Sequence, residues 1–187
     1  MENEHAAFID TGTTLSVPLL IKVLEEKGIS RKKVTHVMVT HVHLDHAGGA
    51  GILMQEFPNA VLVVHPHGAR HMIDPEKLTA GTVAVYGEEN MRKHYGTIIQ
   101  VPGNHIFITE DESRIDFHGR SLLFLDAPGH ARHHYCIIDE RTNSTFSGDN
   151  FGISYREFDN ETASLFFQLQ LQSNLIRKQC EKHLIVS

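Results

Sequence analysis

One short run constrains this chain more than anything else in it. Thr40-His41-Val42-His43-Leu44-Asp45-His46 places three imidazoles and a carboxylate within six positions, directly after the apolar, β-branched stretch Val34-Thr35-His36-Val37-Met38-Val39. Such a stretch reads as a buried strand, and Gly48-Gly49-Ala50-Gly51 then turns the chain into a helical stretch that ends near Phe57. The four polar side chains therefore belong to a loop at the strand's C-terminal edge. In extended or tightly turned backbone, His41 and His43 point the same way and can grip one ion, which leaves Asp45 and His46 to turn toward a second. A single histidine beside a strand is ordinarily just a partly buried histidine. Four ligand-competent groups together are different, because burying them without a partner costs on the order of several kcal/mol. With imidazole and carboxylate but no thiolate, the set suits zinc, iron or manganese at a hydrolytic centre better than a structural zinc knot.

Two later segments supply what this one lacks. Ser121–Asp126 is another apolar strand, and it runs into the turn Ala127-Pro128-Gly129-His130, which sets His130 at a strand end beside His41 and His43. Ser144-Thr145-Phe146-Ser147-Gly148-Asp149-Asn150 repeats the arrangement of strand followed by acid, so that Asp149 is placed to bridge two ions with one carboxylate. A bridged pair lies close enough to share a hydroxide.

In order and spacing, these segments resemble the metallo-β-lactamase-fold hydrolases, and within them the glyoxalase II-like branch. Ile9-Asp10-Thr11-Gly12 resembles the first motif, H-x-H-x-D-H at 41–46 the second, Pro128-Gly129-His130 the third and Gly148-Asp149 the fourth; the likeness covers roughly Ala6 to Phe158. Val64-His65-Pro66, the stretch Gly68-Ala69-Arg70-His71 and Ile73-Asp74-Pro75 further resemble one subgroup of that branch. The resemblance implies an α+β protein with the four-layer αββα fold. It implies that His41, His43 and His130 hold a first divalent ion, that Asp45 and His46 hold a second, and that Asp149 bridges them. Asp10 and His134 would support the ligands from behind through hydrogen bonds. Asp45 would also orient the nucleophile and handle a proton. Tyr155 and Arg156 follow the fourth motif closely, which sets them near the mouth of the site, with Tyr155 as a substrate contact; a surface role is an equal expectation for both. For His134 a purely structural hydrogen-bonding role is an equal expectation, and His133 is less defined still. His65, His67 and His71 alternate around a strand end, but the resemblance gives them no ligation, and a structural or solvated role is expected. His5, His94, His105 and His118 are isolated in sequence and are expected at the surface.

Against the family pattern the chain reads as incomplete at both ends. Residues 1–167 form a partial domain, without the strands that normally precede the Asp10 motif. Residues 168–187 form a divergent tail where a last histidine of the second ion site would be expected. A back-translation of this tail with chosen codons, read one base out of register, gives an ending similar to the subgroup's loop and amphipathic helix. A frameshifted tail is therefore expected, with a natural divergent helix as the alternative; His183 is not taken as the missing ligand.

Composition bounds the rest. A length of 187 residues with 41% hydrophobic content fits one domain able to bury a core. No run approaches a membrane-spanning helix, and the acidic, polar start is unlike a signal peptide. A formal charge of −6 argues against passive nucleic-acid binding. Two cysteines, Cys136 and Cys180, are too few for a disulfide framework, and a cytoplasmic, reducing location follows as the simplest expectation. Strands are expected at Ala6–Asp10, Val34–Thr40, Ala60–His65, His105–Thr109, Ser121–Asp126 and His134–Asp139. Helices are expected at Val17–Lys27, capped by Ser16 and stopped by Gly28, at Gly49–Phe57, and at Lys77–His94. The expected function is hydrolysis of a small ester, thioester or related carbonyl substrate by hydroxide held between two divalent ions, zinc first and iron or manganese next. The alternatives are a phosphodiesterase or nuclease on the same scaffold, against which the lack of basic stretches counts, and a non-catalytic metal-binding fragment. A redox di-iron centre is disfavoured, because in that branch an acid stands where His43 is. Oligomeric state is not legible.

Overall fold

The computed structural model of the chain describes residues 4–150 and the backbone of two short strands at 153–154 and 166–167. Tyr155, Arg156, Cys180, His183 and the tail 168–187 lie outside the described residues. In chain order the elements are β1 (Ala6–Ile9), α1 (Val17–Glu26), β2 (Val34–Met38), α2 (Leu44–Ala47), α3 (Ala50–Glu56), β3 (Val61–Val64), α4 (Pro66–Ile73), α5 (Glu76–Tyr86) and α6 (Glu88–Tyr95). There follow β4 (Ile106–Ile108), β5 (Arg114–Phe117), β6 (Arg120–Asp126), β7 (Tyr135–Asp139), β8 (Ser144–Phe146), β9 (Ile153–Ser154) and β10 (Phe166–Phe167).

Strands β1 to β4 form one parallel sheet in sequence order, and β5 to β8 form an antiparallel meander. Alternation of side chains explains how the two stack. In β1 and β3, Ala6, Phe8, Leu62 and Val64 face a cluster built with Val17, Leu24, Leu53 and Phe57 of the helical layer. Their neighbours Ala7, Ile9, Val61 and Val63 face the second sheet, where they meet Phe117, Leu122, Phe124, Tyr135 and Ile137. In β6 and β7 the intervening Leu123, Leu125, Cys136 and Ile138 form a third cluster on the far side. Each central strand is thus apolar on both faces, which is why β2 and β6 read as continuous apolar runs. Among the described residues the order is helices, parallel sheet, antiparallel sheet, with a buried apolar cluster on the far side of the second sheet.

Several local expectations shift. The helix expected at Lys77–His94 is two helices, because Gly87 takes φ +80° and ψ 157°, which no helix can continue through. α4 was not anticipated; Pro66 opens it and the His65 ring Nδ1 accepts the His67 N–H at 3.0 Å as its cap. β5 was also missed, since its outward Arg114 and Asp116 leave only two apolar positions. Ser16 makes no side-chain cap to α1, because the 3-10 turn Thr14–Ser16 feeds directly into that helix. Gly28, at φ +66°, does end α1, with Ile29 N–H closing onto the Leu24 carbonyl. His5 and His118 are not isolated: their rings stack at 3.7 Å, beside His36, while His105 bonds the Ala60 carbonyl. No described helix is long and apolar enough to cross a membrane.

Candidate metal centre

The C-terminal ends of β1 and β2 and the loops of the second sheet converge at one place. β1 delivers Asp10, β2 delivers Thr40 to His46, the turn after β6 delivers His130, and the turn after β8 delivers Asp149. The sheets are joined here by backbone as well, through Tyr135 N–H to the Thr40 carbonyl at 2.8 Å.

Asp10 organises the loop. It sits at φ +57°, a left-handed conformation that costs a non-glycine residue free energy and is held by its surroundings. Its Oδ1 accepts the Thr40 N–H at 2.7 Å, its carboxylate accepts the Thr40 hydroxyl at 2.9 Å, and its Oδ2 accepts from His46 Nδ1 at 2.8 Å. Thr11 adds a second tie, since its hydroxyl donates to the His46 carbonyl and accepts the Gly49 N–H. The chain of donors fixes the tautomers. Because the Thr40 hydroxyl gives its proton to Asp10, it can only accept from His41 Nδ1, 3.2 Å away. His41 Nε2 is then a bare lone pair. That atom is buried and has no hydrogen-bond partner among the described residues. His46 is fixed likewise, with Nδ1–H on Asp10 and Nε2 pointing at Asp149 Oδ1, 3.0 Å away.

The remaining donors complete two overlapping groups. His43 Nδ1 and His130 Nε2 lie 2.9 Å apart, and with His41 they form a set whose nitrogens all fall within 4.8 Å of one another. His41, His46 and Asp149 form a second such set. His41 is common to both sets, and Asp149 lies close to the first as well, with Oδ2 3.4 Å from His130 Nε2 and 4.0 Å from His41 Nε2. Lone pairs and carboxylate oxygens crowded this way repel unless a proton or a cation sits among them. Burial foremost, and then the neighbouring rings of His46, His134, His43 and His130, hold the His41 pKa far below its usual value, so the ring does not take that proton. His43 is depressed too, by burial and by His130. Burial also works against the charged form of His46, yet Asp10 and Asp149 outweigh it and raise its pKa. A buried orphan nitrogen facing imidazoles and a nearby carboxylate fits a divalent cation.

Asp45 stands apart. Its Oδ2 is 3.8 Å from His46 Nε2, its side chain is 57% exposed, and it belongs to neither tight set. His134 is fully buried between Asn150 and the second sheet, where its Nε2 accepts the Asp149 N–H at 3.2 Å; burial pushes its pKa down to about 3. It positions Asp149. His133 takes the Val42 N–H on Nδ1, and burial with His43 and His71 beside it lowers its pKa to about 4. His65 bonds Asp126 at 3.0 Å and has a structural role; His71 reaches the cleft described below. Sequence reading missed the part played by three contributors, although Gly148 stood in the fourth motif. Thr40 passes the tautomer along. Asn150 accepts the His130 N–H and donates to the Ala127 carbonyl, closing the third turn. Gly148, at φ +49°, has no room for a Cβ, which would lie 2.6 Å from His134 Nε2 and 2.7 Å from Thr40 Oγ1. Only the glycine left a trace in sequence.

The surroundings of the centre form a cleft of about 540 Å³. His43, Asp45, His130 and Asp149 line one side, and residues of α4, α5 and α6 line the other.

A family model described as the metallo-beta-lactamase superfamily matches residues 2–178. The chain belongs to that superfamily. It is 25% identical over 158 residues to a metallo-beta-lactamase fold-containing protein of Sulfurisphaera tokodaii, a match over 80% of this chain and 57% of the relative. It is 25% identical over 144 residues to an atrochrysone carboxyl ACP thioesterase of Emericella nidulans, covering 76% of this chain and 35% of that one. The chain therefore spans about half the length, or less, of these curated relatives. Among solved structures, an archaeal superfamily protein from Sulfolobus tokodaii aligns with a TM-score of 0.69 at 19% identity, over 97% of this chain and 66% of the other. The native metallo-beta-lactamase of Legionella gormanii aligns at 0.57 and 18% identity, over 87% and 60%. The fold is thus the α+β metallo-beta-lactamase fold, of which this chain covers part. Superfamily members bind divalent metals and are generally hydrolases, and the donor set found here suits that chemistry.

Proposed function

We propose that this centre binds two divalent ions, zinc first and iron or manganese next, and hydrolyses a small ester or thioester, in the manner of the glyoxalase II-like branch. The observation that carries the reading is the donor chain Asp10–Thr40–His41, which leaves a buried, unpartnered lone pair on His41, the residue common to both ligand sets, 4.0 Å from the Asp149 carboxylate. The thioesterase name borne by one relative supports a carbonyl substrate.

Divalent ions held there supply Lewis acidity toward a carbonyl oxygen and make water acidic near neutral pH. The chain's own residues do the rest. His41, His43 and His130 would hold one ion, and His46 with Asp45 the other, with Asp149 common to both. Asp10 keeps His41 and His46 in the tautomers that ligation needs. Asp45, half out in the cleft, holds the attacking water in line and accepts its proton on a carboxylate oxygen. His134 keeps the Asp149 backbone in place without touching substrate.

The test is metal content together with turnover. Purified protein is expected to carry zinc, iron or manganese and to cleave generic ester or thioester substrates. Asp149→Ala is expected to lower turnover by about 100-fold or more while the three-histidine set stays partly filled. A fully loaded protein that cleaves a phosphodiester but no ester or thioester would overturn the reading, as would turnover at the wild-type rate in Asp149→Ala.

A further inference from the structure

The wall opposite the ligands is built oddly for a helix of this composition. α5 reads Glu76-Lys77-Leu78-Thr79-Ala80-Gly81-Thr82-Val83-Ala84-Val85-Tyr86, and no residue in it is buried. Lys77, Leu78, Gly81, Thr82, Val85 and Tyr86 all line the cleft, which is the spacing of one helical face. From Lys77 to Tyr86 that face runs for about 13 Å. An apolar stripe that could have packed into the core instead flanks the metal centre, and Tyr95 of α6 extends it.

The stripe ends in positive charge. Lys77 is the one lysine or arginine lining the cleft among the described residues. Next to it, Arg70 Nε donates to His71 Nε2 at 3.3 Å, and His71 also lines the cleft. Burial foremost, then Arg70 and Lys77, keep the His71 pKa low, with Asp74 opposing them. His71 stands 6.3 Å from His133, which stands 5.4 Å from His43. The cationic end is therefore set back from the ligands by two ring contacts. Asp74 and Glu76 lie beside this end but do not line the cleft, so among the lining residues Lys77 is the single positive charge, against Asp45 and Asp149 on the metal side.

We infer that the cleft takes an elongated acyl substrate whose reacting carbonyl lies at the metal centre, whose apolar chain lies along α5, and whose far end bears a carboxylate held by Lys77. This rests on the proposed hydrolase reading for the carbonyl end only. The volume suits a small molecule of that shape, and a hydrated ammonium on a flexible stem suits a terminal carboxylate.

The experiment compares suberate with octanoate, which share a chain length and one carboxylate and differ only at the far end. Binding to the metal-loaded protein is measured by calorimetry, and hydrolysis is measured with the matching p-nitrophenyl esters. Suberate is expected to bind about tenfold more tightly than octanoate, and the preference is expected to vanish in Lys77→Gln and to invert in Lys77→Glu, with metal content showing that the variants are folded. Val85→Asp is expected to weaken both acids together, since Val85 is 74% exposed and carries no packing duty. Equal affinity for the two acids in the wild type, or a preference that survives Lys77→Gln, would overturn the inference. Cleavage of the octanoyl ester without any preference sinks the role of Lys77 and leaves the hydrolase reading standing. A Lys77-dependent preference with no ester turnover does the reverse.

Discussion

On one side of the cleft, the loop carrying His41, His43 and His46 is tied at almost every turn to Asp10, Thr11 and the second sheet; on the other side, α5 buries no residue. A substrate of the proposed kind would meet the two sides with different physics. Ligand nitrogens must be placed to within fractions of an ångström, and hydrogen bonds that fix tautomers do this. An acyl chain needs only apolar area, which an exposed stripe supplies without precise geometry. Substitutions on the tied side should therefore be costly and alter chemistry, whereas those on the loose side should be cheap and alter preference.

The largest break is at the ligands themselves. His41→Ala combined with His43→Ala is expected to remove most of the bound metal by elemental analysis, and full retention would end the assignment of this site. Next comes Asp10→Asn, which keeps the shape but weakens the acceptor behind His46 and Thr40. A loss of about 10- to 100-fold in metal affinity is expected, read by competition with a chelator. An unchanged affinity would mean that the φ +57° conformation of Asp10 serves the fold alone.

A smaller effect is expected with pH. His65 is 4% exposed, and burial lowers its pKa from 6.5 against the pull of Asp126. In the folded protein the ring stays neutral below 6.5 while the unfolded chain takes up a proton, so acid favours unfolding. Stability should fall as the pH drops below about 6.5 and level off once it passes the folded value. His65→Gln should remove that part of the slope in urea melts between pH 7.5 and 5.5; an identical slope in both proteins would count against it. Smallest of all is Val85→Ser on α5, which should change stability by no more than about 0.5 kcal/mol while raising KM for long-chain esters. A marked drop in melting temperature would show that α5 is less loose than its exposure suggests.

What could be read from sequence divides along similar lines. The ligand loop, His130 and Asp149 were legible because each follows an apolar strand and carries a side chain that burial would penalise. Asp10 was reached through family resemblance alone. Its link to His41 runs through Thr40, which in sequence is only the last residue of a β-branched run. The break at Gly87 escaped notice because one glycine within a helical pattern costs only about 1 kcal/mol, and Glu88 and Glu89 directly after it are good helix formers. The stacking of His5 on His118 joins positions far apart in the chain, as does the bond from His65 to Asp126. Local periodicity holds no trace of such pairs. The cleft wall was invisible for the same reason: nothing in the pattern of α5 tells whether its apolar face meets a core or a cavity.

The division of ligands between the two sheets carries one more consequence. His41, His43 and His46 hang from the parallel sheet, while His130 and Asp149 hang from the antiparallel one. An ion bound among them acts as a rivet through a seam. Removing it leaves bare nitrogens and a carboxylate pressed together at that seam, so the groups that fastened the layers now push them apart. Because an ion that binds only the folded form adds to its stability in proportion to the logarithm of its free concentration, chelation should loosen the joint between the sheets as well as stop the chemistry. If the proposed centre is right, metal supply would set how long the protein lasts as well as how fast it works.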